Sequence, residues 1–167
     1  MTSATTPRLR IEPLAPQHPE GLFAALNDDR VGRYIGGHEV TTLDALRARI
    51  VRLLDGAPDG SGETWLNWAV HADDVVVGRV EATLHSGIAE IAYVFGPVHW
   101  GQGYATEATA WMIGEVRALG CAECWATVLP ENVASVRLLR RLGFIEAEPG
   151  DLALQSYDDG DLTFVLR

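Results

Sequence analysis

The chain is short of cations, thiols and long apolar runs, and each shortage excludes something. Thirteen Lys and Arg stand against 23 Asp and Glu, a formal charge of -10. An acidic surface repels phosphodiester backbones, so no nucleic acid partner is expected. It favours a cationic ligand such as a protonated amine, although negative charge also serves solubility alone. No apolar stretch approaches the ~20 residues of a membrane span, so no membrane partner is expected. Met1 to Pro7 is small and polar, without the apolar centre of a secretory signal. A cytoplasmic protein with a frayed start is the expectation. The two cysteines, Cys121 and Cys124, are spaced C-x-x-C. No nearby residues complete a metal set, and an offset of three along a strand sends two side chains to opposite faces. They read as ordinary small apolar residues. His18, His38, His71, His85 and His99 show no metal spacing either, and no metal is expected.

What remains is an ordinary globular composition. The 167 residues are 47% hydrophobic, enough to bury one core, and no repeat, linker or low-complexity tract divides them. A single domain over 1–167, with 1–7 flexible, is expected. Arg8 to Leu14 alternates as a strand and stops at Pro13 and Pro16. Leu22, Phe23 and Leu26 form a short helical face that Asn27-Asp28-Asp29 ends. After a Gly36-Gly37 loop, Thr42 caps a helix with Leu43, Leu46, Ile50, Leu53 and Leu54 on one stripe. Thr64 to His71, Val75 to Leu84 and Ile88 to Phe95 are strands joined by tight turns, an antiparallel meander. Gly103 to Leu119 is a helix, Cys121 to Val128 a strand, and Asn132 to Leu142 a helix closed by Gly143. Phe144 to Ala147 is extended, and Leu162 to Leu166 is a last strand. The order β-α-α-β-β-β-α-β-α-β-β is that of an α+β (mixed α/β) domain around one sheet. Ile88 to Val128 is expected to be a right-handed parallel crossover.

Chemistry concentrates where the third meander strand runs into a loop that opens a helix. Gly101 and Gly103 lack Cβ, and a helix start offers unpaired N–H groups and the positive end of its dipole. Together they suit a diphosphate. A lone G-x-G is weak evidence, since glycines often only permit a turn. A P-loop is excluded because no Lys follows Gly103. A dinucleotide fold is disfavoured because the loop follows an antiparallel meander and Glu123 begins its strand rather than ending it.

Trp100-Gly-Gln-Gly-Tyr-Ala105 resembles motif A of the GNAT superfamily, [QR]-x-x-G-x-[GA]. Ala89-Glu-Ile-Ala-Tyr93, the extension to Ala108, and Pro130-Glu-Asn-Val-Ala-Ser135 through Leu142-Gly-Phe144 are similar to its RimJ/RimL-like branch. So is the opening Leu9 to Leu14. The resemblance is specific from Glu90 to Phe144 and loose elsewhere. Trp100 departs from it, standing where the family has Gln or Arg.

The resemblance implies a GNAT-like fold, a mixed but mostly antiparallel sheet of six to seven strands with about four helices. It implies acetyl-CoA as co-substrate and transfer of its acetyl group to a primary amine, a protein N-terminus or a small molecule. The diphosphate would lie on Trp100, Gly101, Gln102, Gly103, Tyr104, Ala105 and Thr106. The pantetheine arm would pair with the backbone of Val94, Phe95 and Gly96 in a gap between strands, and with Asn132. Glu90 is the candidate base, with a salt bridge, a solvent-facing position or a water relay to another carboxylate as the other readings. Phe95 N–H is a candidate oxyanion donor. The family's usual Tyr acid, seven after the Asn, is replaced by Leu139. Ser135 is the branch's substitute, although a first-turn serine also bonds local backbone. The missing Tyr leaves a second reading open, a catalytically weak acyl-CoA binding or sensing module. Arg137, Arg140 and Arg141 read as complements to the helix dipole rather than as ribose-phosphate ligands. Of Trp65 and Trp68, one belongs to the core and the other lines an acceptor pocket. Tyr34 to His38 falls where the family recognises acceptors, and a homodimer is compatible with the resemblance.

Overall fold

The computed structural model describes residues 2–34 and 42–167. Tyr34 is the one residue of the Tyr34 to His38 segment inside that range; the Gly36-Gly37 loop and His38 lie outside it. The elements run β1 (Ala4–Thr5), β2 (Leu9–Pro13), α1 (Pro19–Leu26), α2 (Asp29–Gly32), α3 (Leu43–Asp55), β3 (Thr64–Ala72), β4 (Val75–His85) and β5 (Ile88–Phe95). A 3-10 turn at Pro97–His99 leads to α4 (Tyr104–Ala118), β6 (Glu123–Val128), α5 (Val133–Arg141), β7 (Ile145–Glu146) and β8 (Leu162–Leu166).

All eight strands form one sheet, ordered β1-β2-β3-β4-β5-β6-β8-β7. Two-residue turns make the β3–β4–β5 meander: Ala72 pairs with Val75, and His85 with Ile88. Ser86 and Gly87 both have positive φ, the conformation that matches hairpin twist. The β5–β6 pair is parallel, with α4 as its crossover; the other pairs are antiparallel.

The alternation of the strands sorts two cores. Trp68, Val80, Ala82, Ala89, Ile91, Phe95 and Phe164 meet Met112 and Val116 of α4 and Val136 and Leu139 of α5. Trp68 stacks edge-on against Trp111 at 5.3 Å. Leu22 of α1 and Leu46 and Ile50 of α3 make the smaller core on the other face, over Val76. Ile88, Trp125 and Val165 are covered separately by Ala147, Leu152 and Leu154.

The sheet has more strands, and the described residues more helices, than the sequence pattern gives, for one physical reason. β1 and α2 are two and four residues long, too short to carry a period, while β7 is the extended stretch expected at Phe144 to Ala147, shortened to two residues. The start of the chain, expected to be frayed, holds β1, which pairs Ala4 with Ile11 and Thr5 with Arg10. Asn27-Asp28-Asp29 ends α1 and also begins α2, because the Asp28 carboxylate accepts from Arg30 N–H. Cys121 precedes β6 instead of opening it, so the opposite-faces argument fails. Both cysteines are free, buried in the larger core, and raised in pKa by that burial.

Gly78, facing Phe95 across β4–β5, has no room for a methyl group. A Cβ there would lie 2.4 Å from Val94 O and 2.7 Å from the Phe95 ring. Gly78→Ala is therefore expected to lose about 1–3 kcal/mol in urea unfolding. An unchanged midpoint would show that the two strands yield freely.

Candidate active site

β5 is paired along its whole length with β4, from His85↔Ile88 to Gly78↔Phe95. Its other edge is different. Pairing with β6 stops at Glu90↔Trp125, while β6 stays paired with β8 as far as Val128↔Leu162. The two strands thus part after Glu90. Gly96 N–H donates to Val77 O on β4, so alternation turns the N–H and C=O groups of Phe95 and Tyr93 into the gap, with the C=O of Ile91, whose N–H belongs to the last rung with Trp125. This corrects the expected set. Of Val94, Phe95 and Gly96, only Phe95 presents its backbone to the gap, and the parity of the strand adds Tyr93 and the Ile91 carbonyl.

The gap leads to the glycine loop. Gly101 and Gly103 take φ of +75° and +81°, and Gly103 caps α4 without a side-chain hydrogen bond. The first helical bond is Glu107 N–H to Gly103 O. Among the described residues, none of the N–H groups from Gly101 to Thr106 has a protein acceptor. Six successive free donors at the positive end of a 15-residue helix form an anion cradle. Trp100 has a different task. Its indole N–H donates to Phe95 O at 2.7 Å and ties the loop to the end of β5.

Across the gap stands α5. Asn132 caps it by accepting from Ser135 N–H at 3.1 Å, and its amide nitrogen donates to no described residue. Tyr93 reaches over from β5, its hydroxyl 2.7 Å from Ser135 Oγ. Burial pushes this phenol up to about 12, against the Ser135 hydrogen bond, so it stays protonated. Tyr93 was not singled out from sequence as a functional side chain, because the pairing joins residues 42 apart. Leu139 is fully buried in the core.

Glu90 stands where β5 and β6 part, on the opposite face from Tyr93. It is buried and saturated with hydrogen bonds. Gln155 N–H donates to Oε1 at 2.7 Å; Ser156 N–H and Oγ–H donate to Oε2 at 2.9 and 2.5 Å. His85 Nε2 lies 2.6 Å from Oε1. Burial raises the carboxyl's pKa, but the Ser156, Gln155 and His85 hydrogen bonds outweigh it and hold it below the usual range. Glu90 therefore anchors the 147–161 segment, and it also orients an imidazole whose Nδ1 bonds no described residue. Trp65 shares this face and is half-buried, while Trp68 is core. Beside it, between α1, α3 and the sheet, lies an apolar cleft lined by Leu22, Phe23, Leu26 and Ile50, with Asn67 and Arg79 on its floor.

Tertiary structure also groups histidines that look unrelated in sequence. His18 Nε2 and His71 Nε2 lie 3.2 and 3.3 Å from the same Glu12 oxygen. Ala15 N–H donates to His18 Nδ1, and Arg10 faces His71 Nδ1 at 3.4 Å. Both Nδ1 atoms are thus acceptors; His18 Nε2 bonds the carboxylate, whereas His71 Nε2, though close to the same oxygen, makes no hydrogen bond. The three side chains, which the sequence spacing did not group, bring their ligand atoms within 4.8 Å of one another. No helix among the described residues is long and apolar enough to cross a membrane.

A parted parallel strand pair beside an N–H cradle defines a protein that lays a phosphorylated arm between two strands, the architecture of an acyl-CoA-dependent acyltransferase. The chain belongs to the GNAT acetyltransferases: the family described as acetyltransferase (GNAT) domain matches residues 8–145. It is 28% identical over 162 residues to the N-acetyltransferase YoaA of Bacillus subtilis (strain 168), covering 93% of this chain and 88% of that one. Its fold is similar to Mycobacterium smegmatis RimJ in complex with CoA-disulfide, with TM-score 0.77 and 19% identity over 95% of this chain and 81% of that one. It is also similar to RimL, a ribosomal L7/L12 alpha-N-protein acetyltransferase, with TM-score 0.76 and 15% identity over 98% and 92%.

Two outcomes are expected. Glu90→Ala strands the 155–156 donors, and chemical denaturation should register a loss of about 2–4 kcal/mol; a neutral change would mean the segment holds itself. His71 provides a pH test. Burial lowers its pKa from 6.5, with Arg10 and His18 adding to this and Glu12 and Asp74 opposing it. The unfolded chain then takes up a proton first, so stability falls as pH drops below about 6.5. His71→Gln should flatten the melting temperature between pH 7.5 and 5.5, and a variant that keeps the wild-type slope would assign the loss to other groups.

Proposed function

We propose that this protein transfers the acetyl group of acetyl-CoA to a primary amine by direct attack on the thioester. The observation that carries the reading is the continuous path from the six-donor cradle into the β5–β6 gap. The donors at Gly101 to Thr106 would hold the diphosphate, with Trp100 fixing the loop and Asn132 offering its free amide nitrogen to the arm. Phe95 and its alternate neighbours supply the strand edge. An arm of about twelve bonds extends roughly 14 Å. From Phe95 back to Glu90 is about 16 Å of strand. The sulfur then falls beside Ile91 and Ala92, between Ser135 on one face and Glu90 on the other.

Chemistry follows from that position. An α-amine has a pKa of about 8 and a lysine amine about 10.4, so the attacking nitrogen must shed a proton. His85, held through Nε2 by Glu90 and with Nδ1 bonded to no described residue, takes it through water, and the Glu90 carboxylate steadies the imidazolium. The nitrogen bonds the carbonyl carbon, and a gap-facing N–H of β5 meets the oxyanion. The C–S bond breaks, and the amine's proton ends on the sulfur overall. Ser135 donates a hydrogen bond to the departing thiolate, with the neutral Tyr93 phenol behind it. The acceptor enters on the Glu90 face, where Trp65 and the apolar cleft lie. A protein N-terminus is favoured by the likeness to RimL and RimJ, and a small amine would use the same chemistry.

The binding-module reading rests on Leu139, which removes the phenol from α5. The Tyr93–Ser135 pair supplies hydroxyls from elsewhere and favours catalysis.

Thiol release from acetyl-CoA should appear with some member of a panel of free-N-terminal peptides and small primary amines. Tight CoA binding without turnover on any of them would support the binding module. Gly103→Glu should abolish CoA binding in calorimetry, since its φ of +81° disfavours a side chain and the carboxylate meets the diphosphate. Glu90→Gln should lower kcat by about 10²–10⁴ while the KM for acetyl-CoA changes little; an unchanged kcat would remove Glu90 from the chemistry.

A further inference from the structure

The glycine loop carries Trp100 at the first motif position, so it has neither the Arg nor the Gln that stands there in the motif it resembles. From Pro97 to Thr106 the only basic side chain is His99. A diphosphate on a protein of charge -10 then rests on backbone dipoles alone, unless a cation arrives from elsewhere. One does. Arg8, at the entry to β2, lies on this loop 94 residues away in sequence, its NH1 donating to Gln102 O at 2.7 Å. A Cβ built on Gly103 would sit 3.2 Å from Arg8 NH2, so the guanidinium covers the glycine whose N–H belongs to the cradle. Its Cζ is 5.1 Å from the centre of the Tyr104 ring.

We infer that Arg8 is a phosphate ligand of the coenzyme site and binds the pyrophosphate at the loop 101–103. The inference rests on the coenzyme reading above. A guanidinium has five N–H donors. Nε directs one to Glu107 Oε2 at 2.7 Å, NH2 forms an ion pair with the same oxygen, and NH1 gives one to Gln102 O. One hydrogen on NH1 and those on NH2 make no hydrogen bond to a described residue, and the side chain is half exposed. That is a two-pronged donor of the kind that phosphate oxygens accept. The fork is already immobile. Glu107 holds it while also accepting from Arg8 N–H at 2.9 Å and Thr6 Oγ–H at 2.6 Å. Little side-chain entropy is left to lose on binding. The pyrophosphate is chosen over the ribose phosphate because the guanidinium sits at Gly103, inside the cradle.

The competing account is that Arg8 only staples the chain start to α4 through Glu107. Titration calorimetry of CoA and of 3′-dephospho-CoA against the whole protein separates the two. Arg8→Gln should weaken both ligands about tenfold, the loss of a charged hydrogen bond, and lower the salt dependence of binding. Glu107→Gln should hold or tighten affinity, because it frees the guanidinium and removes a carboxylate from beside the anion. Arg8→Lys, which keeps charge without the fork, should fall between and covers the case in which the glutamine variant fails to fold. The inference is overturned if Arg8→Gln binds CoA like the wild type or if Glu107→Gln loses as much as Arg8→Gln. A loss for CoA but not for dephospho-CoA would overturn the pyrophosphate assignment. A wild type that binds neither ligand would instead sink the coenzyme reading itself.

Discussion

The parallel ladder between β5 and β6 lasts three residues, and everything at the candidate site follows from that early stop. A sheet interior normally satisfies each strand on both edges. Here one edge of β5 beyond Glu90 is left with N–H and C=O groups that face no strand, while β4 keeps the same strand rigid from the other side. An opening of this kind can persist only if both flanks are held by other means. On one flank β8 pairs with β6 as far as Val128. On the other, Trp100 closes the end of β5 by donating to Phe95 O. The gap is therefore a built feature of the fold, with pairing groups ready for an amide-bearing arm.

The two faces of the gap are chemically unlike. Towards α5 lie hydroxyls, Tyr93 on Ser135, in a setting that keeps the phenol protonated. On the opposite face lies a buried carboxylate kept ionised by donors from Ser156, Gln155 and His85. A site that removes a proton from an amine on one side and serves a leaving thiolate on the other needs that division. It arises from strand alternation, since Glu90 and Tyr93 differ by an odd number of residues. The same alternation explains why Trp65 and Trp68 part company.

In the proposed reaction Glu90 joins structure to chemistry. Its hydrogen bonds fix a segment without regular structure, residues 147–161, against the small core of Ile88, Trp125 and Val165. Order in that segment and the ionised state of the carboxylate are one arrangement seen twice. The chain start is tied in the same economical way, through Thr6 and Arg8 on Glu107 beside the loop.

Sequence alone determined what local chemistry dictates. The meander, its two-residue turns, the helix after Gly103 and the cap at Asn132 are set by period, positive-φ glycines and capping side chains, all of which act over a few residues. Motif order then led to the family and to Gly101–Thr106. Tertiary structure decided what depends on register and distant pairing. Where β5 and β6 part is fixed by which residues face each other, so no local pattern marks Tyr93 and the Ile91 carbonyl as the exposed edge. Tyr93 on Ser135, His85 on Glu90, the His18–Glu12–His71 cluster and Arg8 on Gln102 join residues 5 to 94 apart in sequence. Such contacts leave no periodic trace, because they are made by side chains that meet only once the sheet has closed around its core.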